Sequence, residues 1–482
     1  MKPYLYEKLM EYRNDNVYPF HMPGHKRMLV NKIQNPYEID ITEVDGFDNL
    51  NDPQDIILQS MEETAKFYNV KKTFYLVNGS TVGLLAAITA TCKRGDKILM
   101  ARNCHKAVYH AVRLLQLKPI YLPMIYDEER QLCIGIDEDK LKEQLEREQG
   151  IKAVVVTSPT YEGIVMHIEK IKMCINPKNI PLIVDEAHGA HFPFFHKFPM
   201  SAIEKGADIV IQSLHKTMPA FTQTAIIHVC HNEKLAQQVQ EYLSIYQSSS
   251  PSYLFMAGIE YAIHYGITNT KQFEDYYEML SFYREKLSHF RHFELLSEHS
   301  LEEYNICAID PCKLVFFLKN TSWTGNKISD LLLEKYKIQM EMSDKNFVLG
   351  ISTVMDIKEG FERLYDALLE IDQMLSEENT LKNEENVMKF REIFSDNEKC
   401  CEPFEALESE REWVELEKAE DKICGDYIYL YPPGIPLLVA GERIKKSHIT
   451  ALLSYKKADF YVKGMKEIEE GNKVVYKIQV VE

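Results

Sequence analysis

Between residues 56 and 270 the sequence carries a series of short apolar runs: Thr73–Val77, Lys97–Ala101, Ile151–Thr157, Leu182–Asp185, Asp208–Ile211 and Ala225–Val229. They have strand length, are rich in Val and Ile, and mostly lack polar alternation, the pattern of strands buried on both faces. Helical segments such as Thr81–Cys92 and His105–Leu117 lie between several of them. This alternation predicts an α/β layered domain with a mainly parallel sheet. In such sheets a ligand sits beyond the carboxyl ends of the strands, so the polar residues that follow each run carry the functional question.

The flanks differ in texture. Residues 1–55 read as an N-terminal arm: a short helix, then HMPGHKR and EIDITEVDGFDNLNDP, too dense in Pro, Gly, His and Asp for regular structure. Residues 56–270 form the large domain. Residues 271–376 read as a smaller α+β domain, with helical stretches Phe273–Phe290 and Lys327–Tyr336 and a strand at Lys313–Leu318. Residues 377–400 are polar and predict a linker or surface helix. Residues 401–482 predict a C-terminal α+β domain: an acidic helix around Ala406–Lys418, the segment IYLYPPGIPLLVAGE, and a strand-like end, KVVYKIQVV.

Composition narrows the function classes. At about 150 residues per domain, 482 residues suit about three domains. With 73 acidic against 56 basic side chains and a net charge of -17, the chain is poorly suited to duplex nucleic acid or anionic membrane. A positively charged partner or substrate fits that field better. No apolar stretch is long enough to span a bilayer, and MKPYLYEKLMEYRND is not a signal peptide. The ten cysteines show no zinc-type CxxC pairing, so free thiols in a reducing cytoplasm, with no metal, are expected.

Four strand ends supply chemical groups. Val77-Asn78-Gly79-Ser80-Thr81 leads into a helix, whose free N–H groups suit a phosphate, with Ser80 and Thr81 adding hydroxyls; a plain N-cap is the alternative. Asp185 ends a very apolar run and could hold a protonated ring nitrogen, hold a metal, or cap the next helix. Lys216 lies just past another run; partial desolvation and a cationic His215 would lower its pKa and make it a Schiff-base nucleophile, though a snorkelling surface lysine reads the same way in isolation. Ser213 could reach the same phosphate. His105, after Lys97–Ala101, could stack on an aromatic ring or be merely solvated. Jointly these groups complement one ligand, pyridoxal 5'-phosphate, whose protonated ring is an electron sink.

HMPGHKR, DITEVDGFDNL, NGSTVG, RNCHKAV, TSPTYEGI, DEAHGAHF, QSLHKTMPAFTQTA, SSSPSYLFMAGIE and YPPGIPLLVAGE also resemble, in order over nearly the whole chain, the ornithine/lysine/arginine decarboxylases. These are fold-type I enzymes similar to aspartate aminotransferase, and the chain looks like their short form, without an N-terminal receiver-like domain. The resemblance implies Lys216 as the Schiff-base lysine, Asp185 on the pyridine nitrogen, Ala187 beneath the ring and His105 stacked on its other face. It implies phosphate-side contacts from Ser80, Thr81, Ser213 and His215, with His188 beside Asp185. It implies a homodimer or larger assembly with shared sites, in which Ser248–Ser250 reaches the partner's phosphate. Glu43, Asp45 and Glu442 are implied as substrate-channel residues, and His215 or Lys216 as proton donor.

The sequence departs from the family pattern at Leu50-Asn51-Asp52-Pro53 (LHxP elsewhere), at HKR (commonly HKG) and at Ala440-Gly441-Glu442 (commonly PGE). The first and last fall on the expected channel. The expected activity is decarboxylation of a basic amino acid, arginine or lysine before ornithine, to a di- or polyamine. An aminotransferase, a carbon–carbon lyase or a non-catalytic homologue is the alternative. No arginine is assignable to the carboxylate clamp typical of aminotransferases of this fold.

Overall fold

The computed structural model of the chain describes residues 4–28, 35–378, 397–430, 435–457, 460–470 and 473–482. Most of the expected linker over 377–400 and the YPPG of the C-terminal loop lie outside the described residues.

The apolar runs assemble into one seven-stranded sheet. In chain order its strands are β1 (Lys72–Leu76), β2 (Lys97–Met100), β3 (Lys118–Tyr121), β4 (Ile151–Thr157), β5 (Leu182–Asp185), β6 (Ile209–Gln212) and β7 (Ala225–Val229). Their spatial order is β1-β7-β6-β5-β4-β2-β3. Only β7 runs antiparallel to its neighbours. Strands β5, β6 and β7 are buried along their whole length, as their unbroken apolar sequences demand. Strand β3 carries no such signal, because KPIY sits at the sheet edge with its first residue exposed. Helix α1 (Gly79–Thr91) follows β1 and buries Val82, Leu84, Ala86, Ala87 and Ile88, so almost all of its faces are covered. Helix α2 (Lys106–Leu114) follows β2, with the His105 ring as its N-cap.

Residues 293–351 build a four-stranded antiparallel sheet from Phe293–Leu295, Lys313–Leu318, Phe347–Ile351 and Met342–Ser343. The arm is more regular than its composition suggests, since Tyr18–Phe20 pairs in parallel with Ile338–Met340. It is fastened by Lys26, a buried lysine that donates to the carbonyls of Pro19, His21 and Ile351. The HMPGHKR motif thereby folds back beneath the Lys216 loop, where Gly24 N–H donates to the His215 carbonyl at 2.7 Å.

The C-terminal region holds its own apolar cluster around Ile428, Leu438, Leu452, Tyr455 and Ile478. The expected acidic helix over Ala406–Lys418 is not what forms. A helix covers Pro403–Glu408, a strand covers Arg411–Glu415, and a 3-10 turn covers Leu416–Lys418. The strand wins because Trp413 and Val414 favour a pleated surface and because it pairs with Lys473–Val481, placing Glu415 opposite Lys477. Among the described residues all ten cysteines are free, and no helix is long and apolar enough to cross a membrane.

Candidate active site

At the carboxyl ends of the central strands lies a cavity of about 800 Å³. The N-terminus of α1, the end of β5, the loop after β6 and the aromatic pair Tyr427 and Tyr429 from the C-terminal region all reach it. A slightly larger depression, about 880 Å³, lies between Ser60, Glu63, Glu260 and Tyr261; it takes none of the strand-end groups.

Lys216 sits in a one-turn helix, Leu214–Thr217, directly after β6. Its Nζ lies 3.0 Å from His188 Nε2. Desolvation holds its pKa below that of a free lysine, opposed by the charges of Asp185 and Glu341. Asp185 ends β5 inside the protein, and burial pushes its pKa up against the pull of Lys216. Its one hydrogen bond among the described residues comes from Ala187 N–H, at 3.2 Å. Ala187 and His188 line the same wall.

On the phosphate side, Gly79 opens α1 at φ +77°, a left-handed value that suits glycine. Ser80 and Thr81 line the cavity, and Ser213 stands behind them, its hydroxyl donating to Ser80 Oγ at 2.9 Å. Thr222 and Gln223 complete this cup, with Gln223 donating to the Val77 carbonyl. His105 is exposed and lines the cavity, while its Nδ1 accepts from Ala107 N–H. Its imidazole titrates low through desolvation and the nearby charges of Lys216 and Lys106.

The expected cationic His215 is corrected. Burial brings its pKa down to about 4, so it is neutral near pH 7 and does not supply the charge that lowers Lys216. Its Nδ1 donates to the Thr224 carbonyl at 2.8 Å, which fixes the tautomer because a carbonyl can only accept.

The expected channel residues do not gather here. Glu43 and Asp45 are exposed on the arm. Ser250 is exposed and outside the cavity lining, although Ser248 N–H donates to Asn78 Oδ1 beside the α1 terminus. Glu442 is buried in a bidentate pair with Arg102, at 2.8 and 2.9 Å, and also accepts from Val439 N–H. Both its oxygens are engaged, so it presents no free edge to a substrate.

Sequence reasoning passed over several groups. The Tyr161 ring packs on the His188 ring, 4.6 Å between centroids, and its hydroxyl donates to Glu341. Glu162 lines the cavity with its pKa raised by burial. Lys313, from the small sheet, has its Nζ 2.9 Å from His188 Nδ1. The TSPTYEGI motif was the available signal for the first two; nothing local marked Lys313.

The donor set fits a phosphorylated aromatic aldehyde. The α1 terminus and its hydroxyls suit the phosphate, Lys216 the aldehyde, and buried Asp185 a protonated ring nitrogen. Asn103 Oδ1 lines the same cavity as a buried polar atom without a partner among the described residues, the mark of a site built to receive a polar ligand.

Known proteins share this chain's sequence pattern and fold. Residues 3–358 match the Orn/Lys/Arg decarboxylase major domain, and residues 385–477 match the Orn/Lys/Arg decarboxylase C-terminal domain. The YaaO protein of Bacillus subtilis is 33% identical over 98% of both chains. An arginine decarboxylase of the same organism is 29% identical over 95% of both. Among solved structures, the lysine decarboxylase LdcF of Francisella novicida aligns with a TM-score of 0.78 at 19% identity, covering 99% of this chain and 83% of that one. An aspartate aminotransferase from Thermotoga maritima aligns at 0.52 and 14% identity, covering 77% of this chain and 95% of that one. The fold is that of the fold-type I pyridoxal-phosphate enzymes. With a match that runs through both domains and a strand-end set in the order the fold requires, the chain belongs to the Orn/Lys/Arg decarboxylase family.

Proposed function

We propose that the protein is a pyridoxal-phosphate-dependent decarboxylase of a basic amino acid, arginine before lysine and both before ornithine, releasing carbon dioxide and the corresponding amine. The observation that carries this reading is the meeting of Lys216 and Asp185 in one cavity at the strand ends of the central sheet. The order of substrates rests on relatives of matching length that are arginine decarboxylases, whereas a Pseudomonas aeruginosa lysine decarboxylase, LdcA, matches over 54% of this chain.

Bound there, pyridoxal phosphate supplies an electron sink for the charge left when carbon dioxide departs. The protein's part is to hold and to prepare. The α1 terminus, Ser80 and Thr81 hold the phosphate, with Ser213 steering Ser80. Asp185, kept from solvent, stabilises a proton on the ring nitrogen. His105 and Ala187 bracket the ring. Lys216, its pKa lowered by desolvation, is the amine placed to meet the aldehyde and would be the proton donor at the product carbon. In the cavity lining, Glu162 and Asp426 stand with Lys106, Arg113 and Lys463, and Tyr427 and Tyr429 offer ring faces to a cationic side chain. A homodimer in which Ser248–Ser250 meets the partner's site completes the reading; sedimentation of the full chain measures it.

The test is carbon dioxide release from arginine, lysine, ornithine and glutamate, with keto-acid formation followed in parallel. Arginine turnover at least about tenfold above lysine and far above glutamate is expected. Keto acid without carbon dioxide would replace the reading with an aminotransferase, and equal slow turnover of all substrates would remove the specificity.

A further inference from the structure

His188 stands between two lysines. Its Nε2 faces Lys216 Nζ at 3.0 Å and its Nδ1 faces Lys313 Nζ at 2.9 Å. Lys313 is 1% exposed, opens strand Lys313–Leu318, and enters from the small sheet. A fully buried lysine without a carboxylate at ion-pair distance among the described residues is uncommon, and its charge is not used by any step derived above.

The lone pairs constrain the trio. Burial, with Lys216, Lys313, His215 and His105 around it, pushes the His188 pKa far down, so its ring is neutral and carries one N–H. One ring nitrogen therefore accepts and the other donates. If Lys313 is an ammonium, it donates to Nδ1, the ring proton sits on Nε2, and Lys216 must accept as a neutral amine. If Lys216 is the ammonium, the ring proton sits on Nδ1 and Lys313 must be neutral. The two lysines thus hold at most one excess proton between them.

We propose that Lys313 is a positioning residue that, through the tautomer of His188, keeps Lys216 in its neutral, nucleophilic form and returns a proton to it on demand. The inference rests on the function proposed above, since it is Lys216 that must attack. The transfer balances: a Lys313 N–H bond breaks as an Nδ1–H bond forms, and the Nε2–H bond breaks as an N–H bond forms on Lys216. Carboxylates face both lysines of the trio. Asp310 and Glu341 stabilise a charge on Lys313, against desolvation and the charge of Lys216, and its pKa comes to about 8. Glu162 lies within reach of the same charge. Lys216 faces Asp185 and Glu341, and Asp185 is the carboxylate that a protonated ring nitrogen would engage. The Tyr161 ring fixes the His188 plane from the side.

Two measurements on the full-length, cofactor-free protein test this. The first is the rate of pyridoxal 5'-phosphate capture against pH, followed by absorbance, for the wild type, Lys313→Met and His188→Gln. The wild-type rate should rise as Lys216 loses its proton. In both variants the midpoint should move alkaline, by about one to two pH units for Lys313→Met, the effect expected of a like charge one imidazole away at intermediate dielectric. A folded Lys313→Met protein with an unmoved midpoint and only a lower amplitude would make Lys313 structural and overturn the proposal. The second measurement, which needs no variant, is neutron diffraction near pH 7. A deuteron on His188 Nε2 and three on Lys313 Nζ are expected; a deuteron on Nδ1 overturns the proposal. Failure of the wild type to capture pyridoxal phosphate at all would sink the proposed function instead, and the neutron result would still decide the tautomer.

Discussion

Arg102 and Lys216 are both basic side chains placed just past a strand of the central sheet, yet their surroundings differ in kind. Arg102 is closed on itself. Its guanidinium meets both oxygens of Glu442, the carbonyls of Pro436 and Leu437, and the face of Tyr121 at 5.0 Å. Its pKa is raised, because the Glu442 charge and hydrogen bonds outweigh desolvation. Lys216 has a neutral imidazole for its neighbour, no bidentate carboxylate, and a lowered pKa. The first arrangement satisfies a charge and ties the C-terminal region to β2. The second leaves a basic group half satisfied, which is the condition for reactivity. One sheet edge thus yields a clamp in one place and a reagent in the other, and what decides is how many partners the basic group has.

The largest effect should come from Lys216→Ala. Turnover should fall by at least about four orders of magnitude, as when a covalent nucleophile is removed, and the absorbance band that pyridoxal phosphate gains on binding should vanish. Thermal stability should hold or rise slightly, since a poorly solvated amine is gone. Glu442→Ala should do the reverse. It strands a buried guanidinium at a cost of about 3–5 kcal/mol, seen as a lowered denaturation midpoint, while kcat of the folded fraction changes only a few-fold. Arg102→Met with Glu442→Leu should recover most of that stability. If Glu442→Ala instead left stability intact and destroyed turnover of arginine, Glu442 would belong to substrate binding, as the sequence pattern had suggested, and the comparison would break.

What could be read from the sequence follows the range of the forces involved. Strands β5, β6 and β7 announce themselves because burial on both faces needs consecutive apolar residues. Lys216 and Asp185 stood out because each follows such a run. Strand β3 did not, because an edge position relaxes the demand. The segment Arg411–Glu415 read as helix because Glu-rich stretches favour helix locally, while the partner that makes it a strand begins at Lys473. The same distance hid the clamp and the relay. Arg102 and Glu442 are separated by 340 positions and His188 and Lys313 by 125, so no local pattern joins them. Glu442 accordingly read as a free carboxylate when it is a spent one.

The smallest of these effects concerns a residue that touches neither basic group. Gly24 in the arm is held from both sides: its N–H donates to the His215 carbonyl, and its own carbonyl accepts from Thr353 Oγ1 at 2.7 Å. A Cβ added there would lie 2.6 Å from the Met218 carbonyl oxygen and 2.9 Å from the Thr217 carbonyl carbon, both backbone atoms just past Lys216. With neither strand of contact free to slide, Gly24→Ala should push the Lys216 loop by a few tenths of an ångström. A displacement of that kind at a reacting amine should lower kcat/KM about tenfold while pyridoxal phosphate still binds. Gly95 is the control. It sits at φ +83°, and a methyl group added there would meet nothing within 4 Å, so Gly95→Ala should cost about 1 kcal/mol of stability through backbone strain and leave kcat/KM unchanged. If the two variants lost activity equally, the loss would track stability rather than the Lys216 loop. The under-satisfied lysine would then need no more positional support than the clamp does.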